Sequence, residues 1–228
     1  MLASPLSARR RLVAFDLRGH GESDKPATPG PFARPNLASD LAAVVRGLGL
    51  ERPTVVAWSF GGVVVGEYLR RHGDDALGGI ILAAASLRTG RDSLDLYGRA
   101  MLDNGRALVS DDAAVYEAGA RAFLGGQGAR RAAAEALEAA LAAMRVVPAH
   151  ARRALLAGSE DYRPEIAATR VPVATLHGDL DAVVAPAMSE MCAALRPGIR
   201  QARLPGVGHM PWLEEPALFE ATLTSLLA

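Results

Sequence analysis

The segment PTVVAWSFGGVVV, residues 53–65, changes abruptly from the pattern of one secondary-structure type to that of another. Residues 53–57 form a short apolar run that is typical of a buried parallel strand, whereas the residues after Gly62 follow the longer period of a helix. A strand that turns into a helix over so few residues leaves Ser59 at a strained corner, with its side chain pointing out of the turn. The pattern predicts that Ser59 is a nucleophile; the alternative is a serine that caps the helix.

The residues that flank this corner must be small. Ala57 and Gly61 lie two positions on either side of Ser59. This is the spacing G-x-S-x-G, in which a serine nucleophile sits between a strand and a helix, with alanine in place of the first glycine. Alanine is still small enough for such a turn, so the substitution does not change the interpretation.

Strand-like and helical patterns alternate along much of the chain. The runs that predict strands are residues 11–15, 53–58, 78–84, 171–177 and 200–204. Asn36 is expected to cap an alanine-rich helix over residues 37–48, and an amphipathic helix is expected over residues 217–228. Alternation of this kind indicates an α/β fold, with a mostly parallel sheet that helices cover on both faces.

One long interval interrupts the alternation. Residues 88–163 show only helical patterns, such as RRAAAEALEAALAAM, and a glycine-rich FLGGQG segment. We therefore expect a helical cap over residues 88–163, inserted between two parts of one α/β core, residues 1–87 and 164–228.

Composition narrows the class of protein. The chain has 228 residues, half of them hydrophobic, which is enough for one domain with a full core. Lys+Arg and Asp+Glu both number 25, so nucleic acid and anionic membranes are poor candidates as partners. Cys192 is the single cysteine and is expected to be a packing residue. No apolar stretch has the length of a signal peptide or a membrane span, so we expect a cytoplasmic protein.

A serine nucleophile needs a base within hydrogen-bond reach, and the chain has five histidines. His209 follows the last predicted strand, in a loop with Gly206 and Gly208, so its ring is free to project toward a site. Of the other four, His72 and His150 are expected on the surface and His20 in a glycine turn. His177 is expected to pack at a strand end.

Two aspartates are candidates for the acid that orients this base. Asp179 and Asp181 follow the strand predicted over residues 171–177. They would lie at the carboxyl edge of the sheet, where open α/β sheets gather their ligands. Both could instead be aspartates that cap their own loop, and the spacing alone does not choose between them.

Four segments together resemble the α/β-hydrolase superfamily. AWSFGG is similar to its nucleophile elbow, DLRGHGESDKP to the loop after its fourth strand, HGDLDAVVAP to its acid loop and PGVGHMPWLEEP to its histidine loop. The resemblance covers residues 9–87 and 164–228. Within the superfamily the chain is similar to the cofactor-free esterase and haloperoxidase-like group. Haloalkane dehalogenases and epoxide hydrolases of this fold use an aspartate nucleophile, and Ser59 argues against both.

The resemblance implies a catalytic triad in the chain order serine, acid, histidine. The triad would be Ser59, Asp181 and His209, with Asp179 as the second choice of acid, and the N–H of Phe60 would be an oxyanion donor. It also implies that the protein works without a cofactor or a metal ion. The implied function is a serine hydrolase that cleaves a small carboxylic ester or a related acyl compound.

Two other functions stay open, and the substrate pocket is weakly defined. A chain of this kind could be a catalytically impaired or non-catalytic remnant of a hydrolase, or a cofactor-free perhydrolase with haloperoxidase-like activity. Residues that could line an acyl pocket would equally serve as the core of the cap. They are Met101, Leu102, Phe123, Leu124 and Met144; Trp58, next to Ser59, is a further candidate for the pocket.

The chain departs from the family at its N-terminus. Family members begin with several further strands, one of which leads into a His-Gly loop that supplies a second oxyanion donor; nothing here corresponds to that loop. Losing one such donor costs roughly 2.7–4 kcal/mol of transition-state stabilisation. We therefore expect an N-terminally truncated α/β-hydrolase fold, from a gene start placed too late, with either a gap beside the strand at residues 53–58 or a direct pairing with residues 11–15.

Overall fold

Four parallel strands form the sheet in the computed structural model, which describes residues 5–128 and 134–228. The strands are β1 (Thr54–Trp58), β2 (Gly79–Ala83), β3 (Val173–Gly178) and β4 (Arg200–Leu204). They lie in the order β1-β2-β3-β4, and every neighbouring pair is parallel. The two central strands are buried along their whole length, because parallel sheets are covered on both faces.

Ten α-helices accompany the sheet in the described residues. They are α1 (Arg34–Gly47), α2 (Gly61–His72), α3 (Arg99–Leu108), α4 (Ala113–Gly125), α5 (Ala134–Arg145), α6 (Ala149–Leu156), α7 (Arg163–Ala168), α8 (Ala187–Ala193), α9 (Pro211–Glu214) and α10 (Pro216–Leu226). Short 3-10 helices lie at Pro5–Ala8, Gly30–Phe32 and Arg91–Leu96.

The helices cover both faces of the sheet, which confirms the predicted fold class. Successive side chains of a strand point to opposite faces. In β2, Ile80 and Leu82 join the core cluster that contains α1, α2 and α8. Ile81 and Ala83 join the second cluster, which contains Phe219 of α10.

The first predicted strand is wrong. Residues 11–15 form no strand, and within the described residues β1 pairs with β2 alone. The direct pairing of residues 11–15 with β1 is therefore absent, and the predicted truncation stays a prediction. Val13 and Phe15 are each 39% exposed, so this stretch of strand-forming residues has neither a neighbouring strand nor full burial. Intrinsic preference for a strand does not produce one without a partner.

Asn36 does not cap the first helix. Helix α1 begins at Arg34, with Pro35 in its first turn, where proline's fixed φ and missing N–H are compatible with a helix start. The Asn36 side-chain amide instead donates to the carbonyl of Pro31, at 3.1 Å. The predicted start of the helix was three residues too late, because the proline in the first turn, and not the asparagine, marks where the helix begins.

The interval predicted as a cap is helical in the part that the structure describes. It contains α3, α4, α5 and α6, and its pairings with extended backbone are two isolated bridges, Arg88 with Asp161 and Tyr97 with Val184. Residues 130–133 of the predicted RRAAAEALEAALAAM helix lie outside the described residues. The cap as a separate unit, with bounds at 88 and 163, stays a prediction.

Two smaller expectations can be compared with the structure. Cys192 is buried in the core cluster, and burial raises the pKa of its thiol to about 12, which agrees with a packing role. His150 is not a surface residue as predicted, because its ring packs edge-on against Phe32 and its Nε2 lies 2.8 Å from the carbonyl of Pro26. Among residues 5–128 and 134–228, no helix is both long enough and apolar enough to span a membrane.

Candidate active site

Ser59 occupies the corner between β1 and α2 in a strained conformation. Its φ is 51°, in the left-handed region that non-glycine residues rarely adopt. Three backbone hydrogen bonds hold it there: Ser59 N donates to the carbonyl of Ala83 at 3.1 Å, and the carbonyl of Ser59 accepts from Ser86 N at 2.9 Å and from Gly62 N at 3.0 Å. Phe60 is the N-cap residue of α2 and no side chain caps the helix, so the alternative role for Ser59 as a cap does not match the structure.

At this corner a small residue is required at Gly62 more than at Gly61. A Cβ atom added at Gly61 would lie 3.5 Å from the Cβ of Ala57, an ordinary contact. A Cβ atom added at Gly62 would lie 2.5 Å from the backbone oxygen of Ser86, which is too close. The second glycine therefore lets α2 pack against the segment that follows β2.

Ser59, His209 and Asp181 are joined by hydrogen bonds at the carboxyl edge of the sheet. His209 Nε2 lies 3.1 Å from Ser59 Oγ, and His209 Nδ1 lies 2.8 Å from Asp181 Oδ2. His209 is 1% exposed and Asp181 is 6% exposed, so the bond between the ring and the carboxylate is shielded from water. A neutral ring with its proton on Nδ1 donates to the carboxylate and accepts from the serine hydroxyl.

The backbone of His209 is fixed on both sides. Its N–H donates to the carbonyl of Gln127, at 3.1 Å, and its carbonyl accepts from the indole N–H of Trp58, at 2.9 Å. The Trp58 ring also lies 5.0 Å from the His209 ring. The carboxylate of Glu214 accepts from the N–H groups of Gly208, at 2.9 Å, and Met210, at 3.3 Å. These contacts orient the imidazole toward Ser59.

The two candidate acids have different partners. Asp181 reaches His209 and, through its other oxygen, accepts from the N–H groups of Val183, at 2.8 Å, and Val184, at 3.0 Å. Asp179 is exposed and caps its loop by accepting from Gly206 N, at 2.7 Å. Burial by itself would raise the pKa of Asp181, but hydrogen bonds from His177 and His209 outweigh it, so the pKa lies below its ordinary value.

His177 is a polar neighbour of the site that the sequence did not indicate. It lies at the end of β3, is 2% exposed, and places Nε2 3.0 Å from Asp181 Oδ2. Its ring was expected only to pack or to shape its loop. The signal that would have found it is its position four residues before Asp181, on the strand that leads into the same loop.

A cavity of about 700 Å³ opens in front of Ser59 and runs along the outer edge of β1. Its walls are mostly apolar, and they come from β1, α1, α2, the region predicted as a cap, and the histidine loop. The N–H of Phe60 lies at the start of α2, where helix geometry favours a developing negative charge. Ser59 thus borders a largely apolar space, whereas His209 and Asp181 are buried and are not part of its wall.

The structure brings four of the six predicted pocket residues to this cavity. Its lining includes Trp58, Phe123, Leu124 and Met144. Met101 instead packs against the hydrophobic core, and Leu102 is 42% exposed, because these two residues lie on other faces of α3.

Several residues of the cavity wall were not predicted. His20 was assigned a backbone role, but its ring lines the cavity. Tyr116 and Arg152 also line it, with the guanidinium 3.6 Å from the centre of the tyrosine ring. The sequence carries no short-range signal for this arrangement, since the three residues lie in segments that are far apart along the chain.

Comparison with known proteins gives a consistent group of relatives. Residues 2–216 match the profile of the family described as alpha/beta hydrolase fold. The chain is 30% identical over 217 residues to the AB hydrolase superfamily protein YisY of Bacillus subtilis, covering 90% of this chain and 76% of that protein. It is 31% identical over 205 residues to the pimeloyl-[acyl-carrier protein] methyl ester esterase of Aromatoleum aromaticum, covering 84% and 81%.

The solved structures include a similar fold at full coverage. A protein from Burkholderia cenocepacia that is assigned as an aryl esterase superposes with a TM-score of 0.87. The two sequences are 28% identical, and the alignment covers 99% of this chain and 82% of the other.

Proposed function

Since the chain belongs to the α/β-hydrolase family, we propose that Ser59 carries its chemistry as a nucleophile, with His209 as the general base and Asp181 as the orienting acid. Its similarity to esterases marks it as an enzyme of carboxylesterase type. The observation that carries the proposal is the unbroken line of hydrogen bonds from the serine hydroxyl to the buried carboxylate.

Acylation begins with proton transfer from Ser59 Oγ to His209 Nε2 as the oxygen attacks the ester carbonyl. Asp181 stabilises the imidazolium that forms, and the N–H of Phe60 donates to the oxyanion. When the tetrahedral intermediate collapses, the bond to the leaving alcohol breaks and His209 returns the proton to that alcohol. The acyl group then remains on Ser59.

Deacylation repeats these steps with water. His209 removes a proton from a water molecule, whose oxygen attacks the acyl carbonyl, and the bond to Ser59 Oγ breaks as the serine recovers its proton. The carboxylic acid is released. The positive φ of Ser59 supports this sequence, because it projects Oγ away from the backbone toward the base and the cavity.

The cavity supports a small acyl compound as the substrate. Apolar side chains surround the nucleophile, and such walls bind the hydrocarbon part of an ester. Two of the similar proteins are named as esterases, of a methyl ester and of aryl esters, so a carboxylic ester is the substrate class that we propose. Formation of peracids by the same triad stays an alternative prediction.

The test uses a fluorophosphonate probe and p-nitrophenyl acetate. We expect the probe to label Ser59 and expect labelling to disappear in Ser59→Ala. Ser59→Ala and His209→Ala should each remove most ester hydrolysis, and the double variant should be scarcely worse, because members of a triad act as a unit. Asp181→Asn should lower kcat by a factor on the order of 10⁴.

Asp179→Asn is the control for the acid. It changes an aspartate of the same loop, whose carboxylate contacts Gly206 N and not the base, and should leave kcat within a few-fold of the parent. A folded protein that neither labels nor hydrolyses esters would support a non-catalytic remnant. Additive losses in the double variant would contradict the triad, and peracid formation without ester hydrolysis would favour the perhydrolase.

A further inference from the structure

Two histidines, rather than one, face the carboxylate of Asp181. His209 Nδ1 lies 2.8 Å from Asp181 Oδ2, and His177 Nε2 lies 3.0 Å from the same oxygen. On its other side, His177 Nδ1 lies 2.7 Å from the hydroxyl oxygen of Ser189 in α8. A continuous line of buried polar contacts therefore runs from Ser189 through His177, Asp181 and His209 to Ser59.

The neighbours of His177 determine where its proton lies. Nε2 is hydrogen-bonded to the carbonyl of Val184, at 2.9 Å, and also lies 3.0 Å from Asp181 Oδ2, so this nitrogen must carry a hydrogen. The Ser189 hydroxyl can donate to Nδ1, which lets a neutral ring use both of its nitrogens. His177 thus presents an N–H to the carboxylate without needing a positive charge.

We propose that His177 is a positioning residue of the active site, which donates to Asp181 and limits how strongly that carboxylate stabilises protonated His209. This inference rests on the triad proposed above. Asp181 Oδ1 is held by two backbone N–H groups, and Oδ2 is shared between the two rings. The negative charge that His209 feels is therefore smaller than that of a carboxylate with a single imidazole partner.

No other charged group of the described residues makes a direct contact with this carboxylate. The nearby acidic groups are Asp179, which accepts from Gly206 N, and Glu214, which accepts from Gly208 N and Met210 N. Arg203, beside His177 in the sheet, pairs with Glu190 of α8 at 3.0 Å, and both are half-exposed. His20 and Arg152 line the cavity on the far side of Ser59.

A pair of substitutions separates the donor from the rest of the ring. The side-chain amide of His177→Gln can place an N–H where Nε2 lies, whereas that of His177→Asn reaches only the position of Nδ1. Without a donor on Oδ2, the carboxylate stabilises the protonated base more strongly. In His177→Asn we expect the acidic limb of the kcat/KM profile to move to higher pH by roughly half a unit to one unit.

The glutamine variant is the control, because it also removes the ring. We expect its acidic limb to stay within about 0.2 units of the parent. KM should change little in either variant, since His177 is not part of the described cavity wall. If both variants only unfold at lower temperature and keep the parental profile, His177 is structural and the proposal is overturned. Equal shifts in both variants would also contradict it.

Two measurements need no turnover, and the first needs only the parent protein. The ¹⁵N chemical shifts of the histidine rings in the parent protein report which nitrogen carries the proton. The proposal requires a protonated Nε2 on His177, and an unprotonated one overturns it. The titration midpoint of the His209 ring can then be followed in the parent and both variants without substrate. A shift in the asparagine variant of a protein that does not hydrolyse esters would leave this inference standing while the proposed function fails.

Discussion

Ser59 keeps a backbone conformation that costs a non-glycine residue roughly 1–2 kcal/mol. The surrounding structure supplies what offsets this cost. Ser59 N donates to the end of β2, its carbonyl accepts from Ser86 N, and its hydroxyl is bonded to His209. The strained conformation thus lowers the stability of the fold, but it places the hydroxyl away from the backbone, where a nucleophile can reach a substrate.

This strain can be measured with two inactive variants. Ser59→Ala and Ser59→Gly both lose the hydroxyl, but only glycine adopts a positive φ without a steric cost. We expect Ser59→Gly to be more stable than Ser59→Ala by roughly 1 kcal/mol, after allowing for the larger entropy of glycine in the unfolded chain. Denaturant unfolding of the two proteins gives the difference.

Ser39 provides the opposite control. It is exposed in the interior of α1, where glycine is less favourable than alanine by about 1 kcal/mol. Ser39→Gly should therefore be less stable than Ser39→Ala. If Ser59→Gly is also the less stable of its pair, the corner is not strained in solution.

The residues of the candidate site differ in how much of their role can be predicted from the sequence immediately around them. Ser59 sits between a strand pattern and a helix pattern that are both readable in the sequence, and His209 sits in a loop with glycines on either side. Asp181 could not be separated from Asp179 by spacing, because the choice depends on which carboxylate turns inward. His177 needed the structure, since its importance comes from contacts with Ser189 and the carboxylate.

At the scale of elements, the junction between α2 and the segment after β2 depends on one glycine. Gly62 lies against the backbone of Ser86, which also donates to the carbonyl of Ser59. A shift of this segment would move the nucleophile relative to His209. Helix α2 and the corner therefore form one packed unit with the end of β2.

Substitutions at two adjacent glycines test this unit. In Gly62→Ala the new methyl group would meet the Ser86 carbonyl at 2.5 Å, so we expect a loss of roughly 1–3 kcal/mol in unfolding free energy. The displaced nucleophile should lower kcat by a factor of about 10². Gly61→Ala should leave both quantities close to the parent, because its methyl group would make an ordinary contact with Ala57. Similar losses at both positions would contradict the proposed packing.

The elements that were predicted and those that were missed differ in what stabilises them. Strands β2 and β3 are largely apolar runs that are buried along their whole length, so their composition was enough to place them. The run at residues 11–15 has the same local preference, but no strand lies beside it in the described residues. Strand pairing depends on a neighbouring strand, and a local sequence pattern holds no information about that neighbour.

At the scale of the whole molecule, β1 and β4 are the two edge strands of the sheet in the described residues, and β1 borders the candidate site. Strands β2 and β3 have strand neighbours on both edges, whereas β1 has one neighbour within the described residues. The cavity follows this open edge, with Val55 and Val56 in its lining. An edge strand with free backbone groups is a place where another strand can pair.

Amide hydrogen exchange would show whether this edge is open in solution. Ser59 N donates to the carbonyl of Ala83 in β2, so by the alternation of a strand the N–H groups of Val55 and Ala57 should also point toward β2. Those of Val56 and Trp58 should point outward and exchange faster, while the central strands exchange only on global unfolding. Residue-resolved NMR measures these rates. Equal protection along β1 would mean that its outer edge is covered, and protection that grows with protein concentration would identify the cover as a second copy of the chain.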